Sequence, residues 1–333
     1  MRILSWFHTD DSGVGNYAQV SGDTRDESFR DVYRRCIGVF FATARRANPD
    51  ARLELVLNRE WDADASQVAA QVSAMLADAG VSISVIEYEH EPPSTFTDRW
   101  RNQFFVLDVL AHIASTSDAD EPFVVLDSDI AWSTAGAADG LWREIEEAGV
   151  VTMPVGYEHA HRVNGLSTEE LADLLGQETF DYCGGEFVAA MTGRLPELVE
   201  AAEDVYARLM EAHRADNSLA FEEAHVLSAA YAQLGAGPLA DPQAVRRMWT
   251  QPLKFRNVGE VDLGRALWHV PAEKRYGLRR LYGDLTSESK ALALANYEDS
   301  AWVAHLGSRL GVPRNSPKKW VSDVAGAVRR RVR

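Results

Sequence analysis

Cysteine is nearly missing from this chain: its 333 residues include two, Cys36 and Cys183. Two thiols this far apart cannot build a zinc ribbon, and without a secretion signal they are expected to be reduced rather than bridged. Long apolar runs are missing as well. The longest compact stretch, residues 37–42, falls far short of the roughly 20 residues that span a bilayer. The opening MRILSWFHTD reaches His8 and Asp10 before an apolar segment of about 7–15 residues can form. No signal peptide is expected there, and the protein is expected in the cytoplasm. Positive charge is scarce too, with 34 Lys and Arg against 50 Asp and Glu, a net of −16. A body of that sign does not lie along nucleic acid, because phosphate contacts need a cationic face. A GxGxxG fingerprint is also absent, since Gly13-Val14-Gly15 runs on to Asn16-Tyr17-Ala18, which disfavours a dinucleotide enzyme. There is no internal repeat and no low-complexity linker.

What is present is an ordinary globular composition, 46% hydrophobic and 25% charged, long enough to bury a large core. Strand-like and helix-like segments alternate through the first half. Residues 2–7 read as strand, and Thr24 with Glu27 forms a capping-box signature ahead of Phe29, Val32, Cys36 and Phe40 at helical spacing. Residues 53–57 and 81–88 read as strands, with a helix over 66–79 between them. Trp100, Phe104, Leu107 and Leu110 mark the next helix, and 123–126 is a short buried strand. This order predicts an α/β fold, a single mostly parallel sheet sandwiched by helices.

Beyond Trp132 the pattern predicts helices over 141–148, 195–213, 222–234 and 298–310, and a capped helix opening at Ser167 with Glu170. Strands are expected over 150–155, 187–191, 246–250 and 266–270. The organisation expected is a catalytic domain over 1–285, a helical segment over 286–313 packed on it, and a tail over 314–333. That tail carries seven basic residues against the single acid Asp323, a net of +6 that leaves −22 for the rest. Within it Trp320, Val321, Val324 and Val328 recur at helical spacing, as in a helix lying on an anionic membrane, although a frayed end or a helix docked on the acidic body fits the same pattern.

Open α/β sheets bind ligands at the carboxyl ends of their strands. Three Asp-x-Asp triplets occur, and Asp62/Asp64 and Asp118/Asp120 sit in polar loops. Only Asp127/Asp129 follows an apolar strand directly, in FVVLDSDIAW. Alternate residues leaving a strand face one side, so the two carboxylates repel unless a cation lies between them. Hard oxygen ligands of this kind suit Mg²⁺ or Mn²⁺ bridging to substrate phosphates.

The FVVLDSDIAW segment resembles the DxD segment of metal-dependent glycosyltransferases with the GT-A fold, which take a sugar from a nucleotide-sugar donor. Three later segments are similar to that family's landmarks in the same order, over residues 1–285. The run from Asp181 to Phe187, with Gly184, Gly185 and Glu186, resembles the segment lining the sugar's pocket. The run from Phe221 to Ser228, with Glu222 and Glu223, resembles the acidic helix start beneath the reacting carbon. The run from Trp268 to Gly277, with His269 and Lys274, resembles the segment that completes the metal site. Members related to glycogenin carry Asn at the glycine segment and Asp-Gln on the acidic helix, where this chain has Cys183 and Glu222-Glu223.

The resemblance implies Asp127, Asp129 and His269 as ligands of Mn²⁺ or Mg²⁺, with Lys274 on the leaving diphosphate. Catalytic candidates are Glu222, Glu223 and Glu186; either of the first two would serve as base in an inverting reaction, and the stereochemistry stays open. Donor-binding candidates are His8, Thr9 and Asp10 after the first strand, Arg99, Arg101 and Gln103, and Gly184 and Gly185, with Tyr17 stacking on the base. A UDP-sugar is the default donor, with GDP and dTDP sugars as alternatives. The partners implied are that donor and a small-molecule or glycan acceptor. Two other readings share the fold: a sugar nucleotidyltransferase, whose first loop is usually basic and glycine-rich where His8–Asp11 is acidic, and a carbohydrate-binding protein without turnover.

Overall fold

The computed structural model describes residues 1–13, 20, 22–96, 100–117, 120–241, 244–251 and 255–331. Its framework is a seven-stranded sheet. The first half supplies β1 (Arg2–Phe7), β2 (Arg52–Leu57), β3 (Val81–Val85) and β4 (Pro122–Leu126). The second half adds β6 (Val150–Thr152), β7 (Phe187–Met191) and β8 (Gly237–Pro238). The order across the sheet is β3-β2-β1-β4-β7-β6-β8. The first four strands are parallel, and β7 runs antiparallel to both β4 and β6. A smaller sheet joins β5 (Ile130–Trp132), β10 (Leu267–His269) and β9 (Val245–Arg247) in that order.

Central strand β4 reads as a continuous apolar run because both its faces are covered, while the edge strands β3 and β8 are largely exposed. On β4, Val124 and Leu126 enter one core while Phe123 and Val125 enter the other. The first core packs against α1 (Glu27–Ala47) and α2 (Gln67–Asp78), the second against α3 (Phe105–Thr116), α6 (Leu195–Ala215) and α7 (Glu223–Gln233). The remaining helices are α4 (Asp139–Ala148), α5 (Thr168–Leu175), α8 (Gly277–Leu285), α9 (Glu288–Ala295), α10 (Asp299–Leu310) and α11 (Pro317–Arg331). Among the described residues no helix is long and apolar enough to cross a membrane.

The expected capping box opens α5, where Ser167 Oγ accepts from the Glu170 N–H at 3.2 Å and Glu170 Oε2 accepts from the Ser167 N–H at 3.0 Å. The one expected at Thr24 does not form. Asp26 takes the N-cap position of α1 without a side-chain hydrogen bond, Thr24 Oγ1 donates to Asp10 Oδ2 at 2.9 Å, and Glu27 instead pairs with Arg30 and Arg34. Two intrahelical cations hold that glutamate more strongly than a backbone N–H would. Strand β3 stops at Val85, short of the expected 88, and β6 stops at Thr152. The loop reading of Asp62 holds, its Oδ1 accepting from the Asp64 N–H at 3.0 Å. Asp120 caps the Gly193 N–H at 3.0 Å, and Asp118 lies outside the described residues.

Candidate functional site

The connection from β4 to β5 is three residues, Asp127-Ser128-Asp129, pinned at both ends by the backbone. The Asp127 N–H donates to Glu186 O at 3.2 Å, extending the β4–β7 ladder, and Asp129 O accepts from the Val270 N–H at 3.1 Å. Strand β10 pairs with β5 in the register Ile130–His269, and with β9 in the register Arg247–His269. Two short pairings thus carry His269 and Arg247 to Asp129 from more than a hundred residues away in sequence.

These side chains line a cavity of about 230 Å³ at the carboxyl end of β4. Five carboxyls, those of Asp127, Asp129, Glu186, Glu222 and Glu223, share it with Lys274, Arg247 and His269. Lys274 Nζ lies 2.8 Å from Asp129 Oδ2, and His269 Nε2 lies 3.4 Å from Asp129 Oδ1. On its other side, His269 Nδ1 is 3.2 Å from Glu186 Oε1. Arg247 closes on Glu186 in a two-pronged pair, Nε to Oε1 at 2.7 Å and Nη2 to Oε2 at 2.6 Å.

The charges follow from these contacts. Burial works against ionising Asp129, but Lys274 and His269 hold its carboxyl well below the usual range. Asp127, half-buried beside that anion, is pushed up by desolvation and by Asp129. Burial opposes charge on His269, yet Asp129 and Glu186 raise it to about 9. Burial would likewise raise Glu186, but Arg247 and then His269 keep it well below the usual carboxylate range.

The second wall is the start of α7. Glu222 accepts from the Tyr182 hydroxyl and from Asn164 Nδ2, and Asn164 takes the left-handed conformation at φ 48° to reach it. The Glu222 N–H donates to His225 Nδ1 at 3.1 Å, while His225 Nε2 faces Leu166 O at 3.1 Å. Burial pushes His225 down to about 4, which keeps the ring neutral for that role. Glu223 is buried, its Oε2 has no hydrogen-bond partner among the described residues, and burial with Glu222 and Asp127 nearby raises its pKa well above the usual range. A Cβ at Gly185 would stand 2.3 Å from Glu223 Oε1, so any larger residue there displaces that carboxyl.

Asp127, Asp129 and His269 each offer an atom within 4.8 Å of the others, a compact set of hard oxygens and one imidazole. The donor chemistry fits a divalent cation, which would offset the charge of Asp129 beside Asp127. Glu186 and Arg247 fit as the outer pair that orients His269.

Other residues singled out from sequence lie elsewhere. Gln103, Gly185 and Lys274 line the cavity, whereas Gly184 does not and donates its N–H to Met153 O at 3.1 Å. His8 is buried against the rings of Tyr88 and Phe105, and burial lowers it to about 4. Thr9 exchanges hydrogen bonds with Asn58 and borders a separate hollow of about 50 Å³. Asp10 accepts from Ser12 and Thr24. Arg101 turns to Glu91 at 3.0 Å and to Pro92 O at 3.1 Å, away from the cavity. Arg99 and Tyr17 lie outside the described residues. Arg247 and Asn164 carry no signal in the sequence, because each reaches the site through pairing or a loop rather than a motif, and Tyr182 lies within the run from Asp181 to Phe187 without a role of its own there.

No protein-family model matches the chain, and no curated protein matches it. Among solved structures, it is similar to the galactosyltransferase LgtC in complex with donor and acceptor sugar analogues, at 14% identity and a TM-score of 0.49, covering 97% of this chain and 99% of that one. It is similar to an active-site mutant of LgtC at 14% identity and a TM-score of 0.50, covering 90% and 98%. The apo WbbM bifunctional glycosyltransferase matches at 11% identity and a TM-score of 0.44, covering 74% of this chain and 39% of that one. The likeness to the LgtC mutant establishes the fold, which is of the GT-A type with a mostly parallel sheet.

Proposed function

We propose that this protein is a metal-assisted glycosyltransferase that moves a sugar from a nucleotide-diphosphate donor to a hydroxyl acceptor. The observation that carries the reading is the gathering of Asp127, Asp129, His269 and Lys274 on one cavity at the carboxyl end of β4. The fold shared with LgtC, a galactosyltransferase, supports the same class of chemistry.

Asp127, Asp129 and His269 would hold Mn²⁺ or Mg²⁺. A divalent ion bound there supplies positive charge against the charge that grows on the leaving diphosphate. The Glu186 carboxylate, 3.2 Å from His269 Nδ1, would hold the ring so that Nε2 faces Asp129. Lys274 Nζ, already beside Asp129, reaches the diphosphate oxygens from its buried position. Glu222 is the oriented carboxylate, set by Tyr182 and Asn164, and takes the acceptor hydroxyl's proton in an inverting reaction. Glu223, carrying its proton, donates to a sugar oxygen, and Gly185 lets the backbone approach the ring. The donor nucleotide, UDP as the first choice and GDP or dTDP as the others, would extend its base toward the carboxyl end of β1, where Thr9 and Asp10 follow the strand.

A thermal-shift panel of nucleoside diphosphates and nucleotide sugars, with and without Mn²⁺, tests the reading. One nucleotide is expected to raise Tm only when Mn²⁺ is present. A panel with no metal-dependent shift rejects it.

The protein is further proposed to work in the cytoplasm, with the outer face of α11 against an anionic membrane. Trp320 and Val321 stand exposed there beside Lys318. Full-length protein is expected to float with phosphatidylglycerol vesicles, and the Trp320→Ser, Val321→Ser double variant to stay behind. Equal flotation rejects the contact.

A further inference from the structure

The turn that carries Lys274 is anchored by the C-terminal helix. Glu273 N–H donates to Val270 O at 2.9 Å, and Tyr276 N–H donates to Glu273 O at 2.9 Å, so residues 270–276 fold into two successive turns. The Glu273 carboxylate is buried and ties the turn to three other segments. Its Oε2 accepts from the Gly277 N–H at 2.8 Å, where α8 begins, and its Oε1 accepts from the Thr250 hydroxyl. Lys319 Nζ, from α11, lies 2.9 Å from both carboxylate oxygens and 2.6 Å from Asp323 Oδ2. Lys319 is 4% exposed, so this cation belongs to the interior even though the tail is basic and terminal. Glycine is required at 277, where a Cβ would lie 2.6 Å from both Glu273 Oε2 and Arg309 O.

We infer that Lys319 is a positioning residue for the diphosphate site, acting through Glu273 to hold the turn that presents Lys274 to Asp129. The inference rests on the proposed role of Lys274 toward diphosphate. A buried carboxylate that loses its cation must take up a proton or be rehydrated, and either change loosens the bonds it makes to Thr250 and Gly277. Lys274 is the next residue along that backbone, and its Nζ is set at 2.8 Å from Asp129 and 5.8 Å from the centre of the Tyr33 ring. A displacement of about 1 Å at such a group is enough to cost binding and rate heavily. Asp127 and Asp129 lie on the β4–β5 connection and His269 on β10; the turn meets these ligands through the Val270 N–H on Asp129 O and Lys274 Nζ on Asp129 Oδ2, and supplies none of them itself. The helix whose outer face carries Trp320 and Val321 therefore reaches the reaction centre through its inner face. An event that lifts α11 would weaken diphosphate binding without removing a metal ligand.

The test uses the full chain and two probes, Mn²⁺ alone and inorganic pyrophosphate in the presence of Mn²⁺, each followed by calorimetry. Lys319→Met is expected to keep the wild-type affinity for Mn²⁺ and to bind pyrophosphate about tenfold more weakly. Lys319→Arg should recover most of that loss, because it restores the cation. Lys290→Met removes a lysine from the exposed side of α9 and should bind both probes as wild type does. Glu273→Gln combined with Lys319→Met should be no weaker than Lys319→Met alone, since the two residues act as one unit. Wild-type pyrophosphate affinity in Lys319→Met overturns the inference, and so does parallel loss of both probes in that variant. Failure of the wild-type protein to bind pyrophosphate with Mn²⁺ would overturn the reading of the cavity itself.

Discussion

Glu54 shows how one buried acid ties the sheet to a pH. It sits on β2 with 5% exposure, and Arg2 of β1, Ser84 of β3 and His112 of α3 all converge on it. Burial alone would raise its pKa, but hydrogen bonds from His112, Ser84 and Arg2 lower it from 4.5 to about 2. A carboxylate depressed in the folded state stabilises the fold above its unfolded pKa, and that contribution fades as pH falls toward the folded value. A shift of this size corresponds to about 3 kcal/mol, lost between about pH 4.5 and about pH 2. Urea unfolding at about pH 5 and about pH 3 checks it. Glu54→Gln should lower stability at the higher pH and lose less than wild type on acidification. An equal acid-induced loss in both proteins would contradict the network's role. Single residues were legible in the sequence when a motif held them and illegible when pairing did. Asp127 and Asp129 stood out by their place after an apolar strand. Arg247 did not, because nothing in Val245-Arg246-Arg247 separates the arginine that meets Glu186 from the one that meets Asp262. His8 continues the parity of Leu4 and Trp6 along β1, and that parity turns it into the aromatic packing on the α3 side.

Among the elements, those with long periodic or fully apolar patterns were readable. Helices α1, α6 and α10 and strands β1, β4 and β7 fall where the sequence predicts them. Strand β5 was missed because three residues directly after the Asp-x-Asp triplet are too few to show a period, and its existence depends on β10. Helix α8 was missed, whereas α9 falls inside the helical segment expected over 286–313. Gly277 opens α8 at a position where glycine serves close packing against Glu273 and Arg309, and α9 buries only Leu294. Both missed elements bear on the site, since β5 with β10 sets the His269–Asp129 contact and α8 anchors the Lys274 turn.

For the whole molecule, the net charge of −16 divides into an acidic body and a basic tail, and the two are joined. Lys319 is buried on Glu273, and Arg280 of the body pairs with Asp323 of the tail. The acids of the body are also concentrated, five of them around a single cavity with only three basic groups to balance them. A divalent cation held by Asp127, Asp129 and His269 would supply the positive charge that lets an anionic diphosphate enter so acidic a cavity. The measurement that tests this most directly is release of nucleoside diphosphate from a nucleotide sugar, in Mn²⁺ and in chelator, by wild type and by Asp129→Ala of matching circular dichroism. Wild type should turn over only with the metal, and Asp129→Ala should fall by about a hundredfold or more. Undiminished turnover in the variant, or equal turnover in chelator, would contradict the account.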